Sequence, residues 1–297
     1  MNQQINEFVE HLHSVKKTSE NTCLSYKRDL ERMAAFMHER GIDEVSGVTE
    51  DKLTDYANSL KNENFAPASI TRHYTSMKAF FRYMVENGNI TDSPAEILKS
   101  PHVKKNPPRV LSAVEIEGLL SQKFSSDAKG KRDKAILELL YATGLKASEL
   151  VNLKLSNVDI GLGCIRLPRN AGDSKERLIP YGKKAKTAMH DYLLNARREL
   201  IGSSNDEEFV FVNCNGTSLS RQGLWKLIKT YVRKAGVDSD ITIFTLRHSF
   251  AAHLVENGAD ISSVQELMGY ADSNTISQYI SKDEQVNDPY GWARIRN

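Results

Sequence analysis

The stretch Ser100-Pro101-His102-Val103-Lys104-Lys105-Asn106-Pro107-Pro108-Arg109 constrains the fold of this chain more than any other. Each proline lacks a backbone donor and pushes the residue before it toward extended conformations, so neither a helix nor a central strand can run through it. Its basic residues keep it solvated, as in an extended linker. A chain of 297 residues is long enough for two cores, one on each side. The expected organisation is a first domain over 1–97, a linker over 98–111 and a second domain over 112–297.

Residues 3–88 carry helical periodicity throughout. Ser19 suits an N-cap before a segment with Leu24, Leu30, Met33, Phe36 and Met37 on its apolar side, and Gly41 can stop it. Thr49 can cap a third helix. A fourth opens at Ala66-Pro67 and places Ile70, Met77, Phe80, Phe81 and Met84 inward. Arg72, His73, Lys78 and Arg82 interrupt that apolar set, and the second helix offers Lys27, Arg28 and Arg32. Such a basic face is either simply solvated or faces an anionic partner; charge alone leaves both open.

Beyond the linker the pattern mixes. Ser112 can cap a short helix, and a second over Lys131–Tyr141 runs into Ala142-Thr143-Gly144. Cys164–Leu167 and Arg177–Pro180 read as a β-hairpin around a long polar turn, and Phe209–Val212 as a third short strand. Leu224–Ala235 reads as a helix with Trp225, Leu227, Ile228, Tyr231 and Val232 inside and Lys226, Lys229, Arg233 and Lys234 outside. The expected class is mainly α with a small β-hairpin or sheet (α+β).

With 40% apolar and 26% charged residues and a net charge of +2, the composition is that of an ordinary globular chain. Neither an apolar run near membrane-spanning length nor a basic-then-apolar leader stands out, so the cytoplasm is the expected compartment and no membrane partner is expected. Cys23, Cys164 and Cys214 are far apart and in no metal-ligand spacing, so neither a metal site nor a disulfide framework is expected.

Three motifs carry chemistry. They are Ala142-Thr143-Gly144-Leu145-Lys146-Ala147-Ser148-Glu149-Leu150, then Thr245-Leu246-Arg247-His248-Ser249-Phe250, then Leu267-Met268-Gly269-Tyr270 leading to Tyr279. In this order they resemble the tyrosine recombinase (phage integrase) family, nearest its Xer-type members. The resemblance runs from Thr22–Leu30 to Tyr279.

That resemblance implies a two-domain DNA clamp and a tyrosine that attacks a phosphodiester, storing the bond as a 3′-phosphotyrosine without a cofactor. Tyr279 falls at the nucleophile position and Arg247 at the second of two arginines, whose planar forks suit a phosphate. Lys146 stands where the family has its first arginine, Phe244 where it has a histidine, and Tyr270 where it usually has another. Counting back along the hairpin for the family's lysine lands on Gly172; Arg169 or Lys175 could reach the site, and of the two only Lys175 suits a general acid.

One lost transition-state donor costs on the order of 3 kcal/mol, so the expectation is DNA binding with strand cleavage reduced or lost. The alternative is an active site-specific recombinase or integrase, carried on a mobile element in some of the family. The candidate catalytic set is Tyr279, Arg247, Lys146, Lys175 and Tyr270. The candidate DNA contacts are Arg72, Lys78, Arg82, Lys104, Lys105, Arg169, Arg221, Lys226 and Lys229. The implied partners are double-stranded DNA, with an active recombinase and a dimer or tetramer on DNA left open.

Overall fold

A computed structural model of the chain describes residues 1–101, 108–168, 176–202, 208–237 and 240–270. It divides into two compact units, Met1–Lys105 and Asn106–Asn297.

The first unit is built from α1 (Asn2–Ser14), α2 (Glu20–His38), α3 (Glu50–Asn62) and α4 (Pro67–Glu86). Local signals set their starts: Ser19 Oγ accepts from Thr22 N, Thr49 Oγ1 accepts from Lys52 N, and Pro67 occupies the first turn of α4, where its missing donor costs nothing. Phe8, Leu30, Met33, Met37, Leu53, Leu60, Phe80 and Phe81 fill the core. Burying each such side chain contributes about 1.5–3 kcal/mol. Two expectations change here. Leu24 faces solvent, while His73 is buried rather than part of a basic surface. A partner for the ring, described below, makes that burial tolerable.

The second unit contains α5 (Ala113–Leu120), α6 (Ala128–Thr143), α7 (Ala147–Val151), β1 (Val158–Asp159), β2 (Cys164–Pro168), β3 (Glu176–Pro180), α8 (Lys183–Asn195), α9 (Arg197–Ile201), α10 (Arg221–Lys234), α11 (Ile243–Glu256) and α12 (Ile261–Met268). The strands form one antiparallel sheet in the order β1-β2-β3, with Cys164 opposite Pro180 and Leu167 opposite Arg177. Ser112 and Glu115 form a capping box at α5. The helix expected from Lys131 starts earlier, because the Asp127 carboxylate accepts from Gly130 N at 2.7 Å. Along α6 Ala135, Ile136, Leu137, Leu139 and Leu140 are all buried, so it is a central helix enclosed on several sides.

Phe209–Val212 is not a strand. Its backbone meets two different segments by single bridges, Lys154 with Phe209 and Val212 with Ser218, which leaves no ladder although Val210, Phe211 and Val212 are fully buried. Trp225 is half exposed on α10: Leu224, Leu227, Ile228, Tyr231 and Val232 complete the inward stripe, and Trp225 lies one residue, about 100°, off it. Cys23 and Cys164 are buried, whereas Cys214 is exposed; all three are free thiols. Among the described residues no helix is long and apolar enough to cross a membrane.

Candidate active site

Two helices end on glycines in the left-handed region, α6 at Gly144 (φ 59°) and α12 at Gly269 (φ 60°). The last carbonyls of a helix lack intrahelical partners and carry the negative end of its dipole. Here one side chain meets both ends: Arg247, on α11, donates through one terminal nitrogen to the Gly144 carbonyl and through the other to the Met268 carbonyl. At Gly144 the approach is close, since a Cβ would lie 2.7 Å from Phe250 Cδ1 and 2.8 Å from Met268 Sδ. Arg247 is 4% exposed. Burial lowers its pKa from the ordinary guanidinium value, opposed by Tyr270 and Glu149, and the group stays a cation. The Tyr270 ring covers it, with Cζ 4.6 Å from the ring centroid.

Lys146 enters the same place from the start of α7. Its backbone N–H donates to Glu149 Oε2 at 2.8 Å, and its Nζ lies 3.5 Å from the Gly269 carbonyl and 3.9 Å from Glu149 Oε1. From β3, Arg177 donates to Glu149 Oε1 at 2.8 Å. Burial lowers the Lys146 pKa; Glu149 raises it, and Arg247 and Arg177 lower it further. Among the described residues, Lys146, Arg177 and Arg247 all lie within electrostatic reach of the Glu149 carboxylate, and such a cluster of cations suits an anion such as a phosphodiester.

Phe244 sits in the first turn of α11, 63% exposed, with its ring edge-on to His248 at 3.8 Å between centroids. His248 is buried, and that burial, aided by Arg247, pushes its pKa down to about 4. It is neutral near pH 7.

The structure thus brings together Lys146, Arg247 and Tyr270 from the expected catalytic set. Tyr279, Lys175, Arg169, Lys104 and Lys105 lie outside the described residues. Glu149 and Arg177 were not anticipated as site residues. Two signals point to them: the three-residue spacing from Lys146 to Glu149 is that of an N-cap and its reciprocal acceptor, and Arg177 occupies an inward position between exposed Glu176 and Leu178 on β3.

The other expected DNA contacts are surface features of each unit. On α4, Arg82 is exposed, Lys78 Nζ lies 4.0 Å from Glu96, and Arg72 binds Asp29 through two hydrogen bonds. On α10, Arg221 and Lys226 are exposed, and Lys229 Nζ lies 5.8 Å from the Trp225 ring centroid.

Residues 109–286 match the phage integrase family, and residues 5–88 match the N-terminal SAM-like domain of phage integrases. The chain is 39% identical to tyrosine recombinase XerD of Listeria innocua over 94% of both chains. It is 37% identical to tyrosine recombinase XerC of Herpetosiphon aurantiacus, covering 96% of this chain and 93% of that one. Among solved structures, the Tn1549 transposon integrase in complex with transposon right end DNA superposes with a TM-score of 0.74 at 19% identity, over 95% of each chain, which is a likeness of fold.

Proposed function

Because this chain belongs to the phage integrase family of tyrosine recombinases, we propose that it binds duplex DNA at a specific site and cuts and rejoins its strands through Tyr279. The observation that carries this reading is the convergence of Lys146 and Arg247 on the seam where α6 and α12 end, under the Tyr270 ring. In the proposed step the Tyr279 oxygen bonds to phosphorus and gives up its proton. The 5′ oxygen leaves and takes a proton, and a 3′-phosphotyrosine holds the bond energy. A 5′ hydroxyl from another strand reverses the step. Arg247 and Lys146 offset the charge that builds on the non-bridging oxygens, with the Tyr270 hydroxyl as a further donor beside them.

We further propose that the basic faces of α4 and α10, with the segment over 98–111, contact the DNA backbone and grooves, the first domain over 1–97 reading the duplex and the second over 112–297 supplying the chemistry. Recombination joins two duplexes, so at least a dimer on DNA is required.

One observation favours a second reading in which cleavage is slow. Phe244 presents a bare ring, without a hydrogen-bond donor, on the turn just before Arg247. If a donor belongs at that position, its loss costs roughly 10²- to 10³-fold in rate. The function is tested by strand exchange between two duplexes of different length, each carrying a site selected by the protein from a random pool. The proposal expects products of exchanged length; binding to both duplexes without exchanged or nicked product favours the second reading.

A further inference from the structure

The first unit contains a buried carboxylate, Asp29, held in a specific hydrogen-bond geometry. Asp29, on α2, is 2% exposed. Arg72, on α4, donates to it through Nε at 2.8 Å to Oδ2 and through a terminal nitrogen at 2.7 Å to Oδ1. His73, next along α4, brings Nε2 to 3.3 Å from Oδ1, and Tyr56 on α3 lies 3.1 Å from His73 Nδ1 through its hydroxyl. These contacts assign the hydrogens. With the Tyr56 hydroxyl donating to Nδ1, the neutral imidazole carries its proton on Nε2, the nitrogen that faces the Asp29 carboxylate. Burial lowers the His73 pKa and raises that of Tyr56, which keeps both neutral.

A buried ion pair is weak evidence for stability, because apolar residues of similar volume do as well. This arrangement serves another end: it fixes the plane of an arginine that is still 47% exposed. Of the five N–H donors of Arg72, the edge formed by Nε and one terminal nitrogen is taken by Asp29. The edge left over carries two parallel donors from the terminal nitrogens. Beside it on α4, one turn on from Arg72, Thr75 is exposed.

We propose that Arg72 is a specificity-determining residue that reads a guanine in the major groove, and that Asp29 is the positioning residue that holds its fork. The inference rests on the duplex-binding reading above. Two parallel donors match guanine O6 and N7, and a fork immobilised from behind meets a base edge at lower entropic cost than a free side chain. An arginine needed only as a positive charge for phosphate would not require a buried acid to orient it.

The test is site selection from a randomised duplex pool with the full-length protein, followed by affinity measurements on the selected duplex and its single-base variants at several salt concentrations. The wild type is expected to select a motif with guanine at one position. Arg72→Lys keeps the charge and loses the fork. It should bind the selected duplex roughly 5- to 150-fold more weakly, lose discrimination at that one position, and leave the salt slope unchanged. Asp29→Asn should loosen the same position while other positions keep their preference; a thermal melt of each variant separates this from misfolding. Equal weakening on every sequence with Arg72→Gln, accompanied by a salt slope lower by about one, makes Arg72 a phosphate contact and overturns the inference. A selected motif indifferent to Arg72 overturns it as well. A wild type that binds no duplex at low salt removes the duplex-binding reading, and this inference with it.

Discussion

Arg177 donates to Glu149 across 2.8 Å, tying β3 to the start of α7, while the other Glu149 oxygen accepts the backbone N–H of Lys146. One carboxylate thereby sets both the position of Lys146 and the edge of the sheet. The Arg177 side chain is almost wholly buried. Removing Glu149 takes one charged partner from a buried guanidinium, and breaking a buried pair in this way costs about 3–5 kcal/mol. Glu149→Ala should therefore lower the melting temperature of the second unit by roughly 6–20 °C, read by calorimetry. Glu149→Gln keeps an acceptor for the Lys146 N–H and should lose less. Equal, near-zero shifts would show that the pair does not hold the sheet edge.

Gly144 is a second point of leverage. Alanine there meets both a left-handed backbone, at roughly 1–2 kcal/mol, and the side chains of Phe250 and Met268. Since Arg247 binds the Gly144 and Met268 carbonyls, displacing Met268 should also shift the guanidinium. Gly144→Ala should destabilise by more than Gly41→Ala in the first unit, where φ is 73° and a Cβ meets nothing within 4 Å. Denaturant titrations of the two variants make the comparison.

Protonation of His248 should make stability depend on pH. Its pKa is about 4 when folded and about 6.5 in an unfolded chain, so between these values the unfolded state binds more protons. The contribution is complete above pH 6.5, falls as pH drops toward 4 and is then exhausted, about 3 kcal/mol in all. His73, lowered by burial in the first unit, acts in the same direction. Unfolding free energies at pH 7.5, 6 and 5 should fall with pH more steeply in wild type than in His248→Asn. Parallel slopes would count against a buried neutral His248.

Much of the fold was readable because its signals are local. Ser19, Thr49 and Ser112 begin helices through their own hydroxyls, and Pro67 and Gly144 mark a start and a stop within one turn. Trp225 and Phe209–Val212 were misjudged because apolar character alone does not say which face is inward or whether a neighbouring backbone is in register. In the site, Lys146, Arg247 and Tyr270 stand in motifs. The Arg177–Glu149 pair joins residues 28 apart, and the acceptors of Arg247 are main-chain carbonyls, which carry no sequence signature.

Lys146 gives the proposed cleavage a pH dependence that can be measured. Burial and the neighbouring Arg247 and Arg177 lower its pKa, so its positive charge is lost at lower pH than that of an ordinary lysine. If that charge assists cleavage, the rate should fall on the alkaline side, and Lys146→Arg should extend activity to higher pH because a guanidinium does not deprotonate there. Lys146→Arg with Phe244→His should raise the rate more than the two single changes combined, since both would face one phosphate. Rates indifferent to all three variants would place these residues outside the reaction.

Attack of Tyr279 on DNA is tested by covalent capture on a nicked duplex carrying the selected site, resolved by denaturing electrophoresis. The wild type should yield a protein–DNA species that survives denaturation and is released by protease digestion, with phosphotyrosine at the junction, and Tyr279→Phe should yield none. A covalent species persisting in Tyr279→Phe, or none from the wild type on a site it binds tightly, would contradict the account.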